Sequence, residues 1–159
     1  MSECPQEPER LSRGRCALVG LAVGDAFGER FFTNPDVVAS LIQRRVMPDP
    51  PWGYTDDTEM ALSVFASLRC HGLVDQEFLA ASFAARYNNQ RGYGPSMHGL
   101  LQWIRLGVPW NVAAPRLFGG QGSFGNGAAM RVAPVGGYFA DDLDAVVREA
   151  QKSAVVTHS

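Results

Sequence analysis

Cysteine is scarce and unpatterned: Cys4, Cys16 and Cys70 are an odd number, widely spaced, with no C-x-x-C pair. That argues against a disulfide framework or a thiolate zinc site and favours a reducing, cytoplasmic compartment. Neither sign of charge dominates. Fourteen Lys and Arg against sixteen Asp and Glu leave a net charge of −2, so there is no electrostatic footprint for nucleic acid. Long apolar runs are missing as well. The longest, from Cys16 to about Gly28, contains Asp25 and is flanked by Arg13, Arg15, Glu29 and Arg30, which speaks against a membrane span. Its Gly20-x3-Gly24-x3-Gly28 spacing resembles a membrane helix interface, but in a soluble chain it lets another backbone approach closely. Residues 1–10 are acidic and Pro-containing, unlike a signal peptide, and read as a flexible leader. Internal repeats, low-complexity tracts and convincing period-two alternation are all lacking.

What is present is helical periodicity. The 159 residues, 46% of them hydrophobic, suffice for one domain with a real core. Residues 10–27 read as a buried helix with small residues on one side, and a short helix over 37–45 precedes a Pro-punctuated loop. Met60, Ala61, Val64, Phe65 and Leu68 form the apolar stripe of a helix over 58–70, stopped by Gly72. Asp75 caps a helix running to Tyr87. Further helices are expected over 96–106 and 128–139, the latter kinked by Pro134, with a short turn at 112–117. The last helix, 142–157, takes Asp141 or Asp142 as its cap. The expected fold is a single all-α domain.

Tyr54-Thr55-Asp56-Asp57-Thr58 is the most informative stretch. Two adjacent carboxylates lie between two threonine hydroxyls just ahead of the apolar stripe. Successive helical side chains diverge by about 100°, so Asp56 and Asp57 cannot face each other as a dyad within a regular helix. At a first turn they either accept from free backbone N–H groups as caps or aim outward at metal ions. Oxygen-only ligands suit hard cations such as Mg²⁺ or Mn²⁺.

Two glycine-rich loops follow. The segment Gly119-Gly120-Gln121-Gly122-Ser123-Phe124-Gly125-Asn126-Gly127 has the composition that lets backbone N–H groups reach phosphate oxygens. Ser123 and Asn126 add polar contacts, and Phe124 a face for a base or ribose. Neither the Walker pattern nor the dinucleotide fingerprint fits it, and a plain tight turn is an equally good reading. Arg91-Gly92-Tyr93-Gly94-Pro95 is a shorter loop of the same character. His71, His98 and His158 do not cluster at metal-ligand spacing.

Taken in order, Gly24-Asp25-Ala26-Phe27-Gly28, Tyr54 to Thr58, Arg91-Gly92-Tyr93-Gly94, Gly122 to Arg131 and Thr157-His158 form a joint pattern. Over residues 13–159 it resembles the ADP-ribosylglycohydrolase family, all-helical ADP-ribosyl hydrolases that use two divalent metals. The resemblance implies removal of ADP-ribose from a modified protein side chain or related conjugate, with the linkage and oligomeric state open. It implies that Thr55, Asp56 and Asp57 are metal ligands, Asp56 and Asp57 also serving catalysis. It places Gly122, Ser123, Phe124 and Asn126 along the diphosphate and adenosine, Gly92, Tyr93 and Gly94 along the phosphates, and His158 near the ligand. Glu29 matches a catalytic or metal-gating Glu, with a surface salt-bridging Glu as the alternative. Asp25 is expected to hold backbone in place.

One departure matters. The family's second acidic motif, Asp-x-Asp followed by Thr or Ser, is missing. The Asp-x-Asp within Asp141-Asp142-Leu143-Asp144 precedes Thr157-His158 and reads as a helix start. Residues 11–159 therefore resemble the N-terminal portion of such a domain, truncated and incomplete for catalysis. A non-catalytic ADP-ribose-binding or structural relative is the alternative.

Overall fold

The structure is a computed structural model describing residues 7–158, and every regular element among them is helical. Helix α1 spans Glu7–Gly28 and passes into a 3₁₀ turn, Glu29–Phe31. It is followed by α2 (Pro35–Arg44), α3 (Asp56–His71), α4 (Gln76–Arg86), α5 (Pro95–Arg105) and the short α6 (Trp110–Ala113). A kinked 3₁₀ segment, Ala114–Gly120, leads to α7 (Ala133–Tyr138) and α8 (Leu143–Val155). No helix among the described residues is long and apolar enough to cross a membrane.

The helix ends follow local chemistry. Asp75 accepts from the Phe78 N–H at 2.8 Å and starts α4, and Asp142 accepts from Ala145 N–H at 2.9 Å and starts α8. Gly72 ends α3 in the left-handed conformation at φ 69°, where a Cβ is costly. Pro134 does not kink a helix over 128–139. Residues 128–131 form turns, and α7 begins at Ala133 with Pro134 in its first turn, where the missing N–H would have had no partner anyway.

α3 lies at the centre, packed against α1, α4 and α7. Met60, Val64 and Leu68 of α3 meet Leu79 and Phe83 of α4, Leu100 and Leu101 of α5, and Val135 and Tyr138 of α7 in one buried cluster. Such a helix is buried over much of its circumference, so its apolar pattern is broader than a single stripe.

Helix α1 departs from expectation in three ways. It begins at Glu7, so residues 7–10 are helical rather than leader, and residues 1–6 lie outside the described residues. It is a surface helix rather than a buried one, with Val19 and Val23 more than half exposed. A Cβ at Gly20, Gly24 or Gly28 would also meet nothing within 4 Å, so among the described residues no backbone closes on that stripe. The close crossing is instead at Gly137 of α7, where a Cβ would fall 2.8 Å from the Arg13 carbonyl oxygen. Arg13 fastens that crossing: its Nε donates to Gly137 O at 3.2 Å, and its other nitrogens pair with Glu9 and Asp141.

Candidate functional site

The start of α3 sits against the end of α1. Thr55 is the N-cap, its hydroxyl oxygen accepting from the Asp57 N–H at 3.3 Å. Because Thr55 takes the cap, Asp56 and Asp57 are left to face a cleft of about 660 Å³. The Asp25 carboxylate staples this turn from α1. It accepts from Thr55 N–H at 2.8 Å, Thr55 Oγ1 at 2.7 Å, Thr58 N–H at 3.2 Å and Thr58 Oγ1 at 2.6 Å. Four donors on one carboxylate fix the turn's orientation, as expected of Asp25. Phe27, two residues after Asp25, packs edge-on against Phe31 and against Trp52, three residues before Thr55.

The second wall is the loop before α5. Arg91 O accepts from the Asp56 N–H at 2.7 Å. Gly92 adopts φ 83°, and a Cβ there would lie 3.9 Å from Asp56 Oδ1. Gly92 and Gly94 line the cleft, whereas the Tyr93 phenol turns into the core and donates to Glu59 at 2.9 Å. Glu29 and Phe32 line the cleft beyond the end of α1.

The third wall comes from the glycine-rich loop. Asn126 and Met130 reach the cleft; Gly122, Ser123 and Phe124 lie outside its lining. Ser123 Oγ accepts from Gly125 N–H at 3.2 Å and shapes the turn. Phe124 is 80% exposed and meets Phe118 edge-on at 6.4 Å. His158 backs this loop: a Cβ at Gly127 would fall 2.8 Å from its Cε1. Its Nδ1 is 2.6 Å from Thr157 Oγ1. Burial, then the Arg131 charge, holds its pKa below the usual histidine value, so the ring is neutral at neutral pH.

The acidic pair is electrostatically frustrated. Burial and then the neighbouring Asp57 push the Asp56 carboxyl up to about 6. Asp57 is raised by burial and then by Asp25, with Glu29 adding to it. Among the described residues neither carboxylate pairs with a basic side chain.

The family model described as ADP-ribosylglycohydrolase matches residues 6–159. The chain belongs to the ADP-ribosylglycohydrolase family. It is 35% identical over 168 residues to the ADP-ribosylhydrolase ARH3 of Danio rerio, covering 94% of this chain and 43% of that protein. To ARH3 of Homo sapiens it is 33% identical over 165 residues, 94% of this chain and 45% of that protein. An uncharacterized protein of Archaeoglobus fulgidus is 32% identical over 157 residues, 91% and 49% of the two chains. The chain thus spans a little under half the length of the curated relatives it matches.

Tested against the two divalent ions that the ADP-ribosylglycohydrolase family implies, Thr55, Asp56 and Asp57 fit in kind. They are hard oxygen donors, and an unpaired, desolvated carboxylate pair is a charge deficit that a divalent cation relieves. In number the set is partial. Among the described residues no three His, Cys, Asp or Glu side chains cluster to hold a metal ion, and Thr55 Oγ1 already donates to Asp25.

Three buried charged residues, Glu59, Arg131 and Glu149, carry no expectation from the sequence. Glu59 accepts from Tyr93 and from the Asn88 N–H. Its signal is position: it falls one helical turn after Asp56, beside the apolar Met60. Arg131 is fully buried, donating to Ser153 and lying over the Phe83 ring at 4.7 Å, and burial pushes it down to about 9. Its signal is a lone charge among Ala128, Ala129, Met130, Val132 and Ala133.

Proposed function

We propose that the protein is a metal-dependent hydrolase that releases ADP-ribose from a modified protein side chain or a related conjugate. One observation carries the reading: Asp56 and Asp57, freed from capping by Thr55, face a cleft whose other walls are glycine-bearing loops. Family membership supports the substrate class. The free, exposed thiols of Cys16 and Cys70 support a reducing, cytoplasmic setting.

Breaking a ribosyl C–N or C–O bond develops oxocarbenium character at the anomeric carbon, so the reaction needs a held diol and an activated water. Mg²⁺ or Mn²⁺ held by Thr55, Asp56 and Asp57 would supply Lewis-acid grip on the ribose hydroxyls and a water of lowered pKa. Beyond these three donors, further oxygen ligands, water among them, would be needed to hold such an ion. Glu29, at the cleft rim and felt electrostatically by Asp57, takes or returns the proton. Gly92, Gly94 and Asn126 line the cleft on the side open to the diphosphate, and Phe124, outside that lining, offers an exposed ring to the adenosine. Asp25 keeps Thr55 and both aspartates in register.

Release of ADP-ribose from modified protein, measured with Mg²⁺ and then with EDTA, tests this reading. Mg²⁺-dependent release is expected; release that persists in EDTA overturns the metal role. The partial donor set favours one alternative, a relative that binds ADP-ribose without turnover. Calorimetric binding of ADP-ribose without release from conjugates would select it.

A further inference from the structure

Glu59 is a carboxylate 6% exposed, sitting one turn into α3 at the edge of the core. A buried carboxylate is costly unless donors compensate it, and here every donor comes from a single loop. Its Oε1 accepts from the Asn88 N–H at 2.9 Å and from the Tyr93 hydroxyl at 2.9 Å, while its Oε2 lies 4.0 Å from Arg91 Nε. Arg91 carries the connection onward. Its Nη1 donates to Tyr54 O at 2.9 Å, its guanidinium lies 3.7 Å from the centre of the Tyr54 ring, and its carbonyl accepts from the Asp56 N–H. Loop residues 88–93 are thus tied at both ends to the turn that bears the acidic pair.

We propose that Glu59 is a positioning residue for the cleft, fixing the 88–94 loop against the start of α3 so that Gly92 and Gly94 present their backbone to an anionic ligand. The identity of that ligand as an ADP-ribose conjugate rests on the function proposed above; the anchoring of the loop does not. Glu59 touches neither the cleft nor any reacting atom. It acts through Asn88, Arg91 and Tyr93, and the charge-assisted bonds involved are stronger than neutral ones.

The test compares Glu59→Ala and Glu59→Gln in the whole protein, both first shown folded by thermal melting. The glutamine oxygen still accepts from Asn88 and Tyr93, whereas alanine removes both bonds. In Glu59→Ala, amide exchange at Asn88, Arg91 and Asp56, whose N–H groups are hydrogen-bonded across this anchor, should rise by about tenfold or more while core amides such as Phe83 hold their protection. Glu59→Gln should restore most of that protection. With ADP-ribose as the probe, Glu59→Ala should weaken calorimetric binding by about tenfold, and in turnover KM should rise far more than kcat. Exchange that rises uniformly through the core, or is unchanged at the loop, overturns the proposal; so does Glu59→Gln behaving like alanine. If Glu59→Ala does not fold, Tyr93→Phe takes its place. It deletes one of the three contacts and should speed exchange at Arg91 and Asp56, whose N–H groups are bonded within the anchor, and unchanged exchange there refutes it. Wild-type protein that fails to bind ADP-ribose counts against the ligand reading alone, because the exchange measurements decide the anchor without any ligand.

Discussion

Replacing Asp56 by asparagine should make the metal-free protein more stable at neutral pH, although it deletes a residue assigned to the site. Burial and Asp57 raise this carboxyl from 3.8 to about 6. A displacement of that size corresponds to roughly 3 kcal/mol at about 1.4 kcal/mol per tenfold change. Asp56 is only half-buried, and solvent screening reduces the figure to about 1–2 kcal/mol. The sign follows from proton linkage. Between about pH 4 and pH 6 the folded state keeps a proton that the unfolded chain has lost, so stability falls as pH rises through that window. Below it both forms are neutral and the difference closes. Urea unfolding in EDTA at pH 7 should place Asp56→Asn above wild type by about 1–2 kcal/mol, with the advantage shrinking towards zero near pH 4. Adding Mg²⁺ at pH 7 should then raise the wild type and leave the variant nearly unmoved, since only an ion that binds the folded state adds stability. A metal-free variant that is equal to or weaker than wild type at pH 7 would show that Asp56 is satisfied by the fold, and the charge-deficit reasoning would fail.

Two contrasts test the packing that holds the cleft together. At the α1–α7 crossing, Gly137→Ala puts a Cβ 2.8 Å from a backbone oxygen, which cannot swing away, so thermal melting should report a loss of about 1–3 kcal/mol. Gly20→Ala meets nothing within 4 Å and should be neutral or stabilising by up to about 1 kcal/mol through helix propensity. At the glycine-rich loop, Gly127→Ala would strike the His158 ring rather than backbone. Its cost should therefore be largely relieved in the Gly127→Ala, His158→Ala double variant, and additive losses in that cycle would place the clash elsewhere.

The features legible in the sequence are those set by near neighbours along the chain. Asp75, Asp142 and Gly72 announce their helix ends because capping is decided within three residues. The choice between cap and cleft at Asp56 and Asp57 stayed open because Thr55 competes for the same N–H groups, and only the structure shows Thr55 taking the Asp57 amide. Pro134 misled because proline breaks a helix interior but suits a first turn, and the true start at Ala133 has no side-chain cap to mark it. The glycine stripe of α1 misled for a different reason. Spacing shows that close approach is permitted, not that a partner arrives, and the crossing partner came to Gly137 instead. Glu59 and Arg131 escaped because their donors and acceptors lie 22 to 34 residues away in the chain.

The cleft is assembled from the ends of helices. Asp25 and Gly28 come from the end of α1, Thr55 to Asp57 from the start of α3, and Gly92 and Gly94 from the approach to α5. A helix N-terminus favours negative charge by about 0.3–1 kcal/mol, so α3 should by itself hold Asp56 and Asp57 ionised. Backbone hydrogen bonds do lower both, yet both end up raised. Burial and the crowding of Asp25, Asp56, Asp57 and Glu59 therefore outweigh the helix start, and no described lysine or arginine pairs with Asp56 or Asp57. Arg91, whose carbonyl accepts from the Asp56 N–H, turns its guanidinium onto Tyr54 and Glu59 instead. Under the proposed function, a divalent cation would offset this crowding at the two carboxylates that face the cleft. For that reason the unpaired acidic pair, more than either glycine-rich loop, carries the functional reading.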